Sequence, residues 1–222
     1  MIPRLLIDTA ELPGGGELRL FQRGEEFSIM LGANELMNSR LSGSEEALAS
    51  LTAARIGGRA RPRILIGGLG MGFTLRAALA EWRGDCDIVV AELVPAIIDW
   101  ARGPLAHFYG QSLTDARVTV VEGDVGGMIG ASRSDYDAIL LDVDNGPHGL
   151  TIEANNRLYG SAGLADARSA LKPGGIFAIW SSSPDPKFSA RLRKAGFDVT
   201  EEAVRARKDR GARHLIWIAA KI

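Results

Sequence analysis

Arg63-Ile64-Leu65-Ile66-Gly67-Gly68-Leu69-Gly70-Met71-Gly72-Phe73 decides how the rest of the chain is read. An apolar run of strand type ends in a cluster of glycines, and an apolar stripe at helical spacing follows at once: Phe73, Leu75, Ala78, Leu79, Trp82. Glycine lets a backbone take positive φ and lets a ligand approach with no Cβ in the way. A strand ending in such a turn, with a helix N-terminus pointing back at it, forms a site for a nucleotide-like ligand. Four glycines in the six residues from Gly67 to Gly72 are more than a plain strand-to-helix connection needs.

The dinucleotide fingerprint G-x-G-x-x-G would place its third glycine at position 73, which is Phe73. The spacing is instead Gly68-x-Gly70-x-Gly72, which resembles the loop of class I S-adenosylmethionine-dependent transferases.

Downstream the pattern repeats strand then helix, the signature of an α/β domain with a largely parallel sheet. Strand candidates are 64–66, 88–91, 118–121, 138–141 and 176–180, closed by an antiparallel hairpin of 197–204 and 214–219. This predicts a Rossmann-like, largely parallel seven-stranded sheet with helices on both faces. Upstream, Pro13-Gly14-Gly15-Gly16 and Arg23-Gly24-Glu25 punctuate short alternating runs, which predict a small antiparallel β-unit. The expected organisation is a β-unit over 1–40 and a nucleoside-binding domain over 41–222. Ser42 and Glu45 have capping-box spacing for a helix that Gly57-Gly58 ends.

Ligands of open α/β sheets lie beyond the carboxyl ends of the strands. Those positions are acidic here: Glu92, then Glu122-Gly123-Asp124, then Asp142 with Asp144 close behind. Glu92 lies 24 residues beyond Gly68, a spacing suited to holding a ribose. Together the acids point to a ligand rich in donors and carrying positive charge.

The bulk numbers narrow the class. With 222 residues, 46% hydrophobic and 24% charged, the chain suits one sizeable domain of ordinary globular composition. A net charge of −1 argues against nucleic acid as the main partner. One cysteine, Cys86, excludes an internal disulfide and fits a reducing cytosol, so a cytoplasmic protein is expected. No apolar run approaches the roughly 20 residues that cross a bilayer, so no membrane partner is expected. His107, His148 and His214 lack ligand spacing, and no metal site is expected. The basic run 205–213 reads as a solvated hairpin tip.

With these residues in hand the chain resembles the spermidine/spermine synthase family of polyamine aminopropyltransferases. The matching motifs are Ile66-Gly67-Gly68, Ala91-Glu92-Leu93, and Asp115-Ala116-Arg117-Val118 leading to Gly123-Asp124. They continue through Tyr136-Asp137-Ala138-Ile139-Leu140-Leu141-Asp142, Gly146-Pro147, Leu158-Tyr159 and Leu171-Lys172-Pro173-Gly174-Gly175.

The resemblance implies an aminopropyl group moved from decarboxylated S-adenosylmethionine to a diamine such as putrescine, with methylthioadenosine released and no metal. Gly67, Gly68 and Gly70 would lie against the nucleoside, with Leu93 beside it. Glu92 would bind the ribose hydroxyls, Asp124 the adenine amino group, and Val125 would sit beside the ring. Asp142 would hold the attacking amine and remove its proton, with Asp144, Asn145 and Tyr159 contacting the acceptor. Residues 143–155 would form a loop over the site. The family also implies a homodimer, with Leu18, Leu20, Phe27 and Ile29 as the apolar residues offered to a partner.

Three positions depart from the pattern. The loop acid is replaced by Gly70 or Met71, a Tyr-His pair by Ser44-Glu45-Glu46-Ala47, and a second loop aspartate before Pro147 by Asp144. Methyl transfer from intact S-adenosylmethionine, releasing S-adenosylhomocysteine, and a non-catalytic nucleoside-binding relative are the alternatives.

Overall fold

A computed structural model describes residues 2–13, 15–143, 155–207 and 211–222; for 155 and 156 it describes the backbone alone. The chain opens with β1 (Leu5–Glu11), β2 (Glu17–Arg23), β3 (Glu26–Leu31) and β4 (Asn34–Asn38), paired in that order as an antiparallel sheet. The fourth strand was not expected from the sequence. Leu12 N–H donates to the Gly16 carbonyl at 2.8 Å, closing the Pro-Gly turn.

The remainder alternates α1 (Gly43–Ile56), β5 (Arg63–Gly67), α2 (Phe73–Glu81), β6 (Asp87–Glu92), α3 (Pro95–Arg102), α4 (Ala106–Tyr109), β7 (Val118–Glu122), α5 (Val125–Ala131) and β8 (Tyr136–Leu141). It ends with α6 (Asn155–Tyr159), α7 (Ser161–Ala170), β9 (Leu171–Ser181), α8 (Pro186–Lys194), β10 (Phe197–Arg205) and β11 (Arg213–Lys221). Seven strands form one sheet in the order β10-β11-β9-β8-β5-β6-β7. Pairing is parallel from β9 to β7, and β11 runs antiparallel to both its neighbours. The expected class and strand number are those observed.

Strand side chains alternate between faces, and the apolar sequence obeys that period. Ile64, Ile66, Val90, Leu140 and Ala178 belong to one buried cluster, while Leu65, Val89, Leu141 and Phe177 belong to the other. A sheet buried on both faces needs near-continuous apolar strands, and β8 is buried along its whole length.

Leu18, Leu20, Phe27 and Ile29 lie in the first of these clusters, at most 5% exposed, packed with Ile97, Trp100 and Leu105. They are therefore core of this chain, which corrects the expectation that they face a partner. The exposed apolar residues of the small sheet are instead Leu5, Leu6 and Ile7, on its edge strand β1.

Asp137 is a buried charge that ties the base of the sheet together. It accepts from Arg59 Nη1 at 2.8 Å, Lys172 Nζ at 2.7 Å and the Arg63 N–H at 2.8 Å. Burial works to raise its carboxyl, but the bonds from Lys172, Arg63 and Arg59 outweigh it and hold the group below the usual range. A depressed carboxylate stabilises the fold above its unfolded value, and that contribution is lost as pH falls through the folded value. Asp137→Ala strands these donors and is expected to cost about 1–3 kcal/mol, read as a lower midpoint in urea. The difference from wild type should shrink in acid.

Candidate active site

The sheet's order reverses beside β5, whose neighbours are β6 on one side and β8 on the other. That reversal opens the crevice in which such folds bind ligands. Two hydrogen bonds continue the ladders past the strand ends: Gly68 N–H to the Ala91 carbonyl and Asp142 N–H to the Gly67 carbonyl, both 2.9 Å. The glycine turn and the tip of β8 are thus held edge to edge.

Two glycines in the turn are obligatory for steric reasons. Gly68 has φ +91°, and a Cβ there would run into the Asp142 carbonyl; Gly72 has φ +76°, and a Cβ there would enter the Tyr109 ring. Tyr109 also fixes the turn by donating its hydroxyl to the Gly70 carbonyl at 2.5 Å.

Glu92, 5% exposed, is wired to both sides of the crevice. Its Oε2 accepts from Leu69 N–H and its Oε1 from Val94 N–H, each at 2.9 Å. Burial raises this carboxyl, and backbone N–H groups led by Leu69 and Val94 work against the rise. Each carboxylate oxygen can accept more than one hydrogen bond, so a ligand hydroxyl can be added to this arrangement. Asp124 caps α5, its Oδ1 accepting from Gly126 N–H at 2.9 Å.

These groups converge on one hollow, a concave, mostly apolar lining with a few placed polar groups, as small-molecule sites have. Gly68, Gly70, Glu92, Leu93, Asp124, Val125 and Asp142 all line it, with Leu12, Leu18, Leu36 and Met37 of the small sheet forming an apolar wall opposite. Gly67 lies just beneath, where a Cβ would press on Val125 and Leu141. Tyr159 is placed otherwise. It is 3% exposed, meets Phe188 edge-on, and its hydroxyl lies 3.4 Å from the Val143 carbonyl, so it borders the site from behind the backbone. Asp144, Asn145, Gly146, Pro147, His148 and Glu153 lie outside the described residues. Among the described residues no group of three or more His, Cys, Asp or Glu is clustered to hold a metal ion.

Asp142 stands at the crevice mouth. Thr74, in the first turn of α2, donates its hydroxyl to Asp142 Oδ2 at 2.6 Å, and the Thr74 hydroxyl oxygen lies 3.4 Å from the Glu45 backbone carbonyl. Burial pushes Asp142 up to about 6, with the Thr74 bond opposing. Burial, and then the charge of Asp142, push Glu45 up to about 7.

The capping-box expectation is corrected here. Ser42 precedes α1 but makes no side-chain cap, and Glu45 turns inward to accept from Ser44 Oγ at 2.7 Å. Thr74, Tyr109 and the apolar wall are the site features that sequence reasoning missed; the sequence singles out Glu45 with Glu46 as an amine contact, with the helix-cap role preferred. Thr74 was detectable as the polar residue inside an apolar stripe, and Glu45 through its place where the family has a Tyr-His pair.

No protein-family model matches the chain. A polyamine aminopropyltransferase of Mycobacterium tuberculosis is 31% identical over 160 residues, covering 68% of this chain and 29% of that protein. One from Sulfolobus acidocaldarius is 28% identical over 121 residues, covering 54% of this chain and 39% of its own length. The matched stretch thus spans about a third of these relatives.

Among solved structures, spermidine synthase from Thermotoga maritima superposes with a TM-score of 0.76 at 18% identity, covering 98% of this chain and 73% of that one. A spermidine synthase in complex with the transition-state analogue AdoDATO gives 0.74 at 17%, covering 98% and 72%. The fold is that of the spermidine synthases, and the comparisons support the resemblance to the spermidine/spermine synthase family.

Proposed function

We propose, from this kinship with the spermidine/spermine synthases, that the chain is an aminopropyltransferase. It moves the aminopropyl group of decarboxylated S-adenosylmethionine to a diamine such as putrescine. One observation carries the choice. The described residues lining the hollow include three carboxylates, Glu92, Asp124 and Asp142, and no Lys, Arg or His. A sulfonium nucleoside without a carboxylate gains from every one of these charges. The intact cofactor would bring its own carboxylate into a wall with no side-chain cation to meet it, a like-charge penalty that disfavours it.

In this reading Gly67, Gly68 and Gly70 admit the nucleoside, with Leu93 and Val125 against its rings. Glu92 receives the ribose hydroxyls and Asp124 the adenine amino group. Asp142 takes a proton from the acceptor's ammonium, and the freed nitrogen lone pair attacks the methylene carbon beside the sulfonium. The carbon–sulfur bond breaks with its electron pair going to sulfur, leaving a neutral thioether and a secondary ammonium. The positive sulfur already activates the leaving group, so the protein's task is alignment, about 7–11 kcal/mol of the barrier, and proton removal. Asp144 and Asn145 complete the acceptor side.

The reading includes the division into 1–40 and 41–222, a homodimer through the exposed apolar strand β1, and a cytoplasmic protein without a nucleic-acid or membrane partner. Among the described residues no helix is long and apolar enough to cross a membrane.

The rival reading is methyl transfer from the intact cofactor, favoured by Gly70 or Met71 standing where the family has an acid. Incubation with each cofactor and a panel of di- and polyamines, followed by mass spectrometry, separates them. Methylthioadenosine with an aminopropylated amine supports the proposal; S-adenosylhomocysteine with a methylated acceptor supports the rival. Nucleoside binding without product from any acceptor supports a non-catalytic relative.

A further inference from the structure

A second recess shares no lining residue with the strand-end hollow. Helix α1 packs against α2 and against β10, and the three line a groove that the small side chains of Ala47, Ala77 and Ala203 keep open. Arg40, Arg76, Arg205 and Arg207 stand around it, and the acids of its described lining are Glu46 and Glu81. Arg205 and Arg207 open the basic run 205–213, of which 208–210 lie outside the described residues.

Elsewhere in the chain arginines are matched to carboxylates: Arg59 to Asp137, Arg63 to Asp87 and Asp135, Arg117 to Asp115. Within the groove Arg40 follows that rule and turns to Glu26 and Glu35 of the small sheet. The side chains of Arg76, Arg205 and Arg207 do not. Among the described residues none of the three has a carboxylate at ion-pair distance, and neither Glu46 nor Glu81 takes one of them. Arg76 is the fixed member. Its Cζ lies 5.0 Å from the centroid of the Phe73 ring, and its Nε is buried with no acceptor among the described residues. A buried donor without a partner is costly, and a bound ion is one of the few arrangements that accounts for such a group. The residue as a whole is half-buried and lines the groove, so its terminal nitrogens can meet a ligand there.

We propose that this groove binds a compact oligophosphate, free or carried by a nucleotide, with Arg76, Arg205 and Arg207 holding its oxygens. The planar fork of arginine matches phosphate in a two-point contact that lysine cannot make. Here the forks come from two elements, α2 and the end of β10 with the residues just beyond it, so they suit an anion that offers oxygens on more than one side. Glu46 and Glu81 narrow the choice further. An acidic peptide would spread its carboxylates along the groove and bring some of them against these two, whereas a compact anion concentrates its charge on the arginines. The strand-end hollow, lined by Glu92, Asp124 and Asp142, repels the same ligand, so the two cavities sort ligands by the sign of their charge. The groove's ligand is independent of the amine-transfer reading, because no residue lines both cavities.

The test is calorimetric titration of the full chain with inorganic triphosphate at low ionic strength, where exposed charges are least screened. A single equivalent should bind. The double variant Arg205→Gln, Arg207→Gln changes two exposed residues and should weaken binding about tenfold or more. Arg76→Gln should do the same, with a thermal melt to check that α2 still folds. Glu81→Gln, which removes a repelling charge, should tighten binding. Arg102→Gln, an exposed arginine outside the groove, should leave the affinity where it is. A parallel titration with ATP identifies the source: equal affinity assigns recognition to the phosphates alone, and tighter binding that still needs Arg205 and Arg207 assigns a nucleotide. Absence of triphosphate binding overturns the proposal. So does an affinity unmoved in the Arg205, Arg207 double variant, an equal loss in Arg102→Gln, or preferential binding of an oligoglutamate peptide.

Discussion

Asparagine at position 142 is expected to lower the single-turnover rate by about 10²–10⁴-fold, the usual worth of a positioned base. The substitution is nearly isosteric, and the asparagine oxygen can still accept from the Thr74 hydroxyl, which now donates at 2.6 Å. Nucleoside affinity and thermal midpoint should therefore change little, and the loss should fall on the chemical step. Wild-type rate should rise with pH as Asp142, raised by burial, ionises. The variant should lose that limb. Rates measured at saturating donor and acceptor across pH 5 to pH 9 check both statements. A variant that transfers at the wild-type rate would show that another group takes the proton.

The second large effect is expected at Glu92. Both of its oxygens accept backbone N–H groups, one from the glycine turn and one from the start of the segment leading into α3. Glu92→Gln turns one acceptor into a donor, so an NH₂ group confronts either Leu69 N–H or Val94 N–H. A bond to a charged group is worth about 1.5–3 kcal/mol, so nucleoside affinity should weaken by roughly 10- to 100-fold at 1.4 kcal/mol per decade. The thermal midpoint should fall as well, because a buried donor loses its partner. Asp124→Asn is the comparison: its oxygen can keep the cap on Gly126 N–H, so stability should hold while affinity falls less. Calorimetric titration with the nucleoside and thermal melts of both variants measure the difference.

Much of this site could be seen in the sequence because its logic is local to strand ends. A strand's apolar period, the glycines behind it and the acid that follows are all read within a few residues. The sheet then brings those ends to one edge. Gly68, Glu92, Asp124 and Asp142 converge for that reason alone.

What escaped detection depends on distant segments. Glu45 has the spacing of a helix cap, a local role, yet the fold sets its backbone against the Thr74 hydroxyl that bonds Asp142, nearly a hundred residues away in sequence. Leu18, Leu20, Phe27 and Ile29 alternate as any half-buried strand does. The pattern shows that one face is covered and cannot say whether this chain or another covers it. Packing against α3 and α4 decides, and it makes them core. Tyr159 was assigned to the pocket by motif, but the helix that carries it turns its ring into the packing around Phe188.

The central claim is that a hollow whose described lining is acidic, with no Lys, Arg or His among it, selects a sulfonium nucleoside that lacks a carboxylate. Calorimetric titration of the wild-type protein with decarboxylated and with intact S-adenosylmethionine, side by side at one pH and salt concentration, tests it most directly. The decarboxylated form should bind at least tenfold more tightly, about 1.4 kcal/mol. Equal or tighter binding of the intact form would contradict the account.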